Sequence, residues 1–302
     1  MEKKPFDGFG FSVCEGKLIV DDFGGWETRN ESCIKLIKSA INRERIWSTS
    51  WIYVNTGDRP VNFFYLGHPT LNFSTVDGFF ELTCPDFVFD HWSQTGLEDY
   101  QSLCIELGEI TEPASTDYIG WRGALTAPVR QKLVENFTSE AFDFELVNWI
   151  RTDPTRLTAS NFLTLPEQVR KWRFLIDIEG TGYSGRLKLL LHTNRVIFIQ
   201  ERPWKEFFFP ELIPWTHFVP IKRDLSDLEQ NLNKIRQDPK LESVMISNAK
   251  NFAKNFLGRE IAITRWAALI QRFGSIGKLG RNVVCPCGSS MRFKHCHGAG
   301  GV

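Results

Sequence analysis

The sequence predicts an α/β protein of about two globular domains with a small metal-binding appendage. Three observations carry this expectation. The 302-residue length is about twice that of an average domain. From residue 161 onward, β-like apolar runs alternate with amphipathic helical stretches, the pattern of strand–helix–strand units on a parallel sheet. Three cysteines and two histidines crowd into residues 285–297. The composition, 42% hydrophobic and 24% charged, is that of a folded chain rather than a disordered one.

The elements follow in order along the chain. Helical spacing of apolar residues runs over 30–42. Residues 44–92 alternate short apolar runs with turns: a strand over Ile46–Val54, a loop over Asn55–Pro60 and a second strand over Val61–Leu66. A further helical pattern covers 128–138. Trp172–Ile178 reads as a strand, Glu179–Tyr183 as a glycine-rich turn, Ser184–His192 as a helix and Arg195–Gln200 as a β-branched strand. Leu225–Gln237 and Leu241–Leu257 are amphipathic, and Ser226 with Glu229 forms a capping-box pattern at the first of them. Gly274–Gly280, with three glycines, reads as a flexible tether. These signals divide the chain into domains over 1–150 and 151–273, a tether over 274–282 and a finger over 283–302.

Charge and composition limit the partners. Lys+Arg and Asp+Glu both number 36, which argues against general nucleic-acid or membrane-surface binding, so any phosphate site must be local. The first residues carry positive charge but no apolar stretch after it, and no window reaches the roughly 18 apolar residues of a membrane span. The expectation is a cytoplasmic protein, at most peripheral to an inner membrane. Cys14, Cys33, Cys84 and Cys104 are scattered and read as reduced core thiols. Trp204, Trp215 and His217 read as core residues.

Two segments carry chemistry. The first is Ile176–Arg186, which ends a strand, turns on Gly180, Gly182 and Gly185, and opens a helix. Turn amides, a helix start and the guanidinium of Arg186 make an anion site. The bland alternative is an ordinary turn with Arg186 on a solvated face. The second segment holds Cys285, Cys287, Cys296 and His297, three thiols and an imidazole, the ligand set of a closed structural zinc site. His295 is an alternative fourth ligand, and a free thiol cluster is the alternative without metal. Arg292 and Lys294 would offset the excess negative charge of three thiolates.

The finger closely resembles the SEC-C motif in its Cys-x-Cys, eight-residue gap and Cys-His. That resemblance implies zinc at those four residues and, less directly, a protein partner. Residues 172–266 resemble glycosyltransferase family 90, the CAP10-like group, in Arg186-Leu-Lys-Leu-Leu-Leu191, Glu206-Phe-Phe-Phe-Pro-Glu-Leu212, Pro214-Trp-Thr-His-Phe-Val-Pro-Ile-Lys222 and Asp224-Leu-Ser-Asp-Leu228. Gly120-Trp-Arg-Gly123 is similar to the family's aromatic-Arg-Gly motif, and Asn55–Pro60 to its Asn-x-x-Asp-x-Pro loop, with Gly57 where the family has arginine. The resemblance implies two Rossmann-like domains facing a cleft, the GT-B type. It implies a UDP-sugar donor, inversion at the anomeric carbon, and an acceptor hydroxyl on a protein or on a surface glycan such as lipopolysaccharide core or capsule. On that basis Arg122, Gly123, Gly182, Ser184 and Arg186 are candidates for the donor's diphosphate, and Glu206 for its ribose hydroxyls. Asp58 is the candidate base, with Asp90 and His91 as rivals and a simple turn role as the alternative. No catalytic Mg²⁺ is expected. The high aromatic load, ten Trp and 25 Phe, is core in the main and also suits stacking on sugar rings. A second reading is a degenerate transferase fold that serves as a binding module through its finger.

Overall fold

The structure, a computed structural model, describes residues 6–76, 78–151, 157–285 and 289–296. Its contacts fall into two units. Unit 1 comprises Met1–Asp90, Pro203–Phe207 and Arg259–Val302, and unit 2 comprises His91–Arg202 and Phe208–Gly258. The sequence boundaries at 150 and 273 therefore do not coincide with the division of contacts. Composition marks no change at residue 90, and a five-residue excursion such as 203–207 leaves no local signal.

Unit 1 begins with strands β1 (Gly8–Cys14) and β2 (Lys17–Gly24), paired antiparallel across Glu15 and Gly16. Both turn residues have positive φ, 50° and 73°, as the tightest right-twisted hairpin requires. Helix α1 (Glu27–Glu44) follows and buries Cys33, Leu36, Ile37, Ala40 and Ile41, one stripe at helical spacing. Strands β3 (Ile52–Asn55), β4 (Phe64–Tyr65) and β5 (His68–Asn72) complete a sheet of order β2-β1-β3-β5-β4. Only β3 and β5 run parallel, so this sheet is mixed rather than Rossmann-like. Two of the scattered cysteines of this unit, Cys33 and Cys84, are core thiols, whereas Cys14, at the end of β1, is exposed.

Unit 2 contains helix α2 (Tyr100–Glu109), β6 (Thr116–Gly123), α3 (Pro128–Asn136), β7 (Phe142–Leu146), the short antiparallel pair β8 (Ile150–Arg151) and β9 (Leu157–Thr158), and α4 (Leu165–Lys171). Then come β10 (Trp172–Asp177), α5 (Leu187–Leu190), β11 (Val196–Gln200), β12 (Val219–Ile221), α6 (Leu228–Arg236) and α7 (Pro239–Phe256). Its five-stranded sheet has the order β7-β6-β10-β11-β12, and every neighbouring pair is parallel. The central strands are apolar on both faces, as helices above and below demand. Ile119, Trp121, Phe174, Ile176, Val196 and Phe198 lie in one core with Leu228, Leu232 and Ile235 of α6. After unit 2, helix α8 (Arg259–Gly274) rejoins unit 1 and packs on α1.

Several local expectations fail: the helix over Ser184–His192 is confined to Leu187–Leu190, and the strands over Ile46–Val54 and Val61–Leu66 to Ile52–Asn55 and Phe64–Tyr65. Ser226 and Glu229 form no capping box: α6 has Asp227 at its N-cap without a side-chain cap, because Asp227 Oδ1 instead accepts from the Lys222 amide at 2.9 Å. The box stands at α4, where Thr164 and Glu167 hold each other's backbone. Nor is the glycine-rich segment a free tether: Leu279 donates to the Gly67 carbonyl at 2.9 Å, and Gly274 accepts from the Ser50 amide at 2.7 Å.

Candidate active site

In an open parallel sheet, ligands gather beyond the carboxyl ends of the strands, where the winding direction reverses. In unit 2 the reversal falls between β6 and β10. From β6 the chain builds β7 on one side, then returns to build β10, β11 and β12 on the other. The carboxyl ends here are Arg122-Gly123 on β6 and Asp177-Ile178-Glu179 on and after β10.

Asp177 is fully buried at that edge. It accepts a hydrogen bond from Ser184 Oγ at 2.6 Å, is paired with Arg202, and lies 3.7 Å from Arg186 Nε. Burial pushes this carboxyl upward, but Arg202, Arg186 and the Ser184 hydroxyl outweigh it, so its pKa is lowered. Arg186 reaches back across the sheet edge: its Nη1 donates to the Arg122 carbonyl at 2.8 Å, and its guanidinium lies over the Trp121 ring at 5.6 Å. Its side chain stays 20% exposed. Arg130, from α3, donates to the carbonyls of Glu179 (2.8 Å), Ala124 (2.8 Å) and Ile178 (3.3 Å). Burial, and next the nearby Arg186, bring the Arg130 pKa down to about 10. Gly180 packs closely here: a Cβ on it would stand 3.1 Å from Arg130 Nη2, so that side chain would have to shift slightly.

The edge thus gathers three guanidiniums, Arg130, Arg186 and Arg202, around two carboxylates, Asp177 and Glu179. The positive surplus suits an anion. Of these five residues only Arg186 was singled out from the sequence; Asp177 and Glu179 lie within its glycine-turn segment without an assigned role. The signal that points to Asp177 is a carboxylate directly after the apolar run Phe174–Ile176 of a buried strand.

The other predicted diphosphate residues divide. Ser184 is in the cluster, but its hydroxyl is given to Asp177. Gly182 is buried in the same turn. Gly123 ends β6, where its carbonyl accepts from the Val147 amide at 2.8 Å. Arg122 has its terminal nitrogens engaged within unit 2. Its Nη2 donates to Asp143 at 2.6 Å and Glu145 at 3.1 Å, its Nη1 donates to two carbonyls, and its guanidinium stacks on Trp172 at 5.0 Å. Asp143 is further held by Lys171 and the Trp172 indole, both at 2.8 Å. Trp172 can cross β6 so closely because residue 120 is glycine; a Cβ there would fall 1.7 Å from the ring. Arg122 is therefore a brace between β6 and β7, and it contributes to the cluster through its main-chain carbonyl.

The remaining candidates, His91 apart, lie in unit 1. Glu206 is buried in the Pro203–Phe207 segment, beside the backbone bridge of Thr75 with Lys205, and so belongs to unit 1 rather than to the donor-side unit expected. Asp58 is 35% exposed and pairs with Arg29 at 2.9 Å. Arg29 in turn lies over the rings of Trp26 and Phe87, at 4.9 and 4.8 Å, and donates to the Thr56 carbonyl. Asn55 shapes the loop by accepting from the Gly57 amide at 3.0 Å and donating to the Arg59 carbonyl at 2.8 Å. Asp58 is thus oriented and solvent-accessible, whereas its rival Asp90 is largely enclosed and held by Arg259 at 2.8 Å. His91 is half-buried. In unit 2, Trp215 and His217 are half-buried rather than core, and His217 Nδ1 accepts from the Ile213 amide at 2.9 Å.

In the finger, Val284 bridges Arg292 antiparallel, and the Cys285 amide donates to the Met291 carbonyl at 2.7 Å. Cys285 lies within this bridged segment and Cys296 four residues beyond its end, and Ser289 Oγ lies 3.3 Å from Cys296 Sγ. Cys287 and His297 lie outside the described residues. Among the described residues no three Cys, His, Asp or Glu side chains are grouped to hold a metal. Phe293 anchors the hairpin on Phe64 of unit 1, with centroids 4.9 Å apart. No helix among the described residues is long and apolar enough to cross a membrane.

Comparison with known proteins places these features. Residues 52–284 match the profile of Glycosyl transferase family 90, and residues 281–299 match the SEC-C motif. Protein O-glucosyltransferase 1 of Rattus norvegicus is 29% identical over 103 residues, 34% of this chain and 26% of that protein. The O-glucosyltransferase rumi homolog of Anopheles gambiae is 28% identical over 116 residues, 38% of this chain and 29% of that protein. The chain thus spans only about a quarter of the length of these curated relatives. The C-terminal domain of a Group 1 family glycosyl transferase (LpcC) from Francisella tularensis superposes with a TM-score of 0.32 and 10% identity, covering 55% of this chain and 96% of that one.

Proposed function

Because the chain belongs to glycosyl transferase family 90, we propose that it transfers a sugar from a nucleotide donor, a UDP-sugar, to an acceptor hydroxyl with inversion. The acceptor class is a surface glycan such as lipopolysaccharide core or capsule. One observation carries the reading: the surplus of guanidinium charge around Asp177 at the switch point of the parallel sheet. A departing diphosphate needs preorganised cationic donors where its charge develops, and that edge supplies them. Arg186 is the proposed diphosphate ligand, with its side chain aimed by the Arg122 carbonyl and by Asp177. Gly182 and the adjoining turn let the phosphates approach.

The reaction forms a bond from the acceptor oxygen to the anomeric carbon and breaks that carbon's bond to phosphate oxygen. The bonding pair leaves with the diphosphate, and the acceptor proton passes to a carboxylate. Asp58 is the proposed base, supported by its exposure and by its fixed place beside Arg29. Glu206 is retained as a candidate for the ribose hydroxyls. The GT-B architecture is carried into the proposal from the family; the parallel order of the unit 2 sheet supports one of its two Rossmann-like domains, and the mixed sheet of unit 1 does not support the other. In the finger, Cys285, Cys287, Cys296 and His297 would hold one structural zinc, which would supply the cross-link that so short a segment cannot build from a core.

The test is transfer or donor hydrolysis across a panel of UDP-sugars, with Arg186→Ala alongside. The reading expects activity with at least one donor and its loss in the variant. Calorimetry showing no heat with UDP or any UDP-sugar would reject it in favour of a binding module.

A further inference from the structure

Arg202 stands two residues after the end of β11 and is the most enclosed guanidinium of the cluster, its side chain 1% exposed. Its Nη2 is committed to Asp177 Oδ2. Its Nε and Nη1, three N–H donors in all, are buried and have no hydrogen-bond partner among the described residues, although the guanidinium lies 6.0 Å from the Phe209 ring centroid. Charged donors left dry and unpaired weigh heavily against a fold unless something else uses them. Asp177 cannot use them all: it also accepts from Ser184 and faces Arg186, so a single carboxylate serves two guanidiniums. The positive charge left over is fixed, preorganised and largely desolvated, the condition in which it holds an anion most strongly.

We infer that Arg202 is a phosphate ligand of this site, held in place by Asp177 and presenting Nε and Nη1 to phosphoryl oxygens beside Arg186. No local sequence pattern marks it, because residue 202 lies outside the glycine turn. The inference rests on the proposed function only for the identity of the anion as a nucleotide diphosphate. The anion site itself follows from the orphaned donors.

The test uses the full chain, with inorganic pyrophosphate, UDP and uridine titrated by calorimetry into wild type, Arg202→Gln and Arg202→Lys. Lysine keeps a cation for Asp177 and so protects the fold, but it leaves no guanidinium donors for phosphate. Both variants are expected to weaken pyrophosphate and UDP at least tenfold while uridine binding is unchanged, a contrast that a purely structural role would not produce. A folded variant that binds pyrophosphate within twofold of wild type overturns the inference; if the glutamine variant does not fold, the lysine variant decides. Wild type binding UDP, with neither variant changing it, rejects Arg202 and leaves the proposed function standing. Wild type binding pyrophosphate through Arg202 but no UDP or UDP-sugar rejects the proposed function and leaves the anion site standing. Wild type binding none of the three rejects both.

Discussion

Asp177→Asn keeps the shape of the side chain and removes only its charge. In the wild type that charge is shared by Arg202 and Arg186 in a fully buried setting, with Ser184 donating to the same carboxylate. The amide oxygen of asparagine can still accept from Ser184, so the loss is that of the ion pairs. Removing one partner of a buried pair costs about 3–5 kcal/mol, since the other charge is left uncompensated. The retained hydrogen bond puts Asp177→Asn near the lower end, about 3 kcal/mol. For a unit of this size that corresponds to a melting point lower by roughly 6–12 °C. The assay is thermal and urea unfolding at pH 7 followed by circular dichroism and tryptophan fluorescence. The lowered pKa fixes the sign of the pH dependence. A carboxyl whose pKa is depressed by folding stabilises above its unfolded value, near 3.9, and loses that contribution as pH falls through its folded value. The gap between wild type and variant should thus be full at pH 7 and narrow below about pH 4. A double variant, Asp177→Asn with Arg202→Met, should recover part of the loss because both charges go together. A single variant within about 1 kcal/mol of wild type at pH 7 would refute the picture of a buried, charge-sharing hub.

Further outcomes follow from the same geometry. Arg122→Met should lower stability by about 3 kcal/mol, because it deprives Asp143 and Glu145 of their brace, yet leave UDP affinity of the folded protein unchanged; a selective loss of UDP binding would restore Arg122 as a ligand. His192 is held at about 4 by burial, so it is neutral in the native state and takes up a proton on unfolding. Stability should therefore fall as pH drops from about 6.5 toward 4, and His192→Gln should flatten that part of the profile; an unchanged slope assigns it to other groups. Asp58→Asn should abolish transfer while sparing nucleotide binding, and retained transfer moves the base elsewhere. Purified protein should carry about one zinc per chain, and Cys285→Ser or Cys296→Ser should release it; elemental analysis finding no metal in the wild type removes the site.

The sequence by itself determined what depends on neighbours along the chain. Trp172–Asp177, the glycine turn and Val196–Gln200 were legible because apolar runs and turn residues report local backbone preference. The helices over 27–44, 128–136, 228–236 and 239–256 were legible from their 3.6-residue spacing, and family membership from contiguous motifs. Tertiary structure alone decided how distant charges pair. The chain around Arg122 does not show that β7 brings Asp143 and Glu145 against it, and the chain around Arg202 does not show that it meets Asp177 at the adjacent strand end. It also decided that Pro203–Phe207 and α8 belong with the first unit. Strand order and register bring together residues twenty or more positions apart, and an arginine's local sequence carries no mark of which carboxylate will claim it.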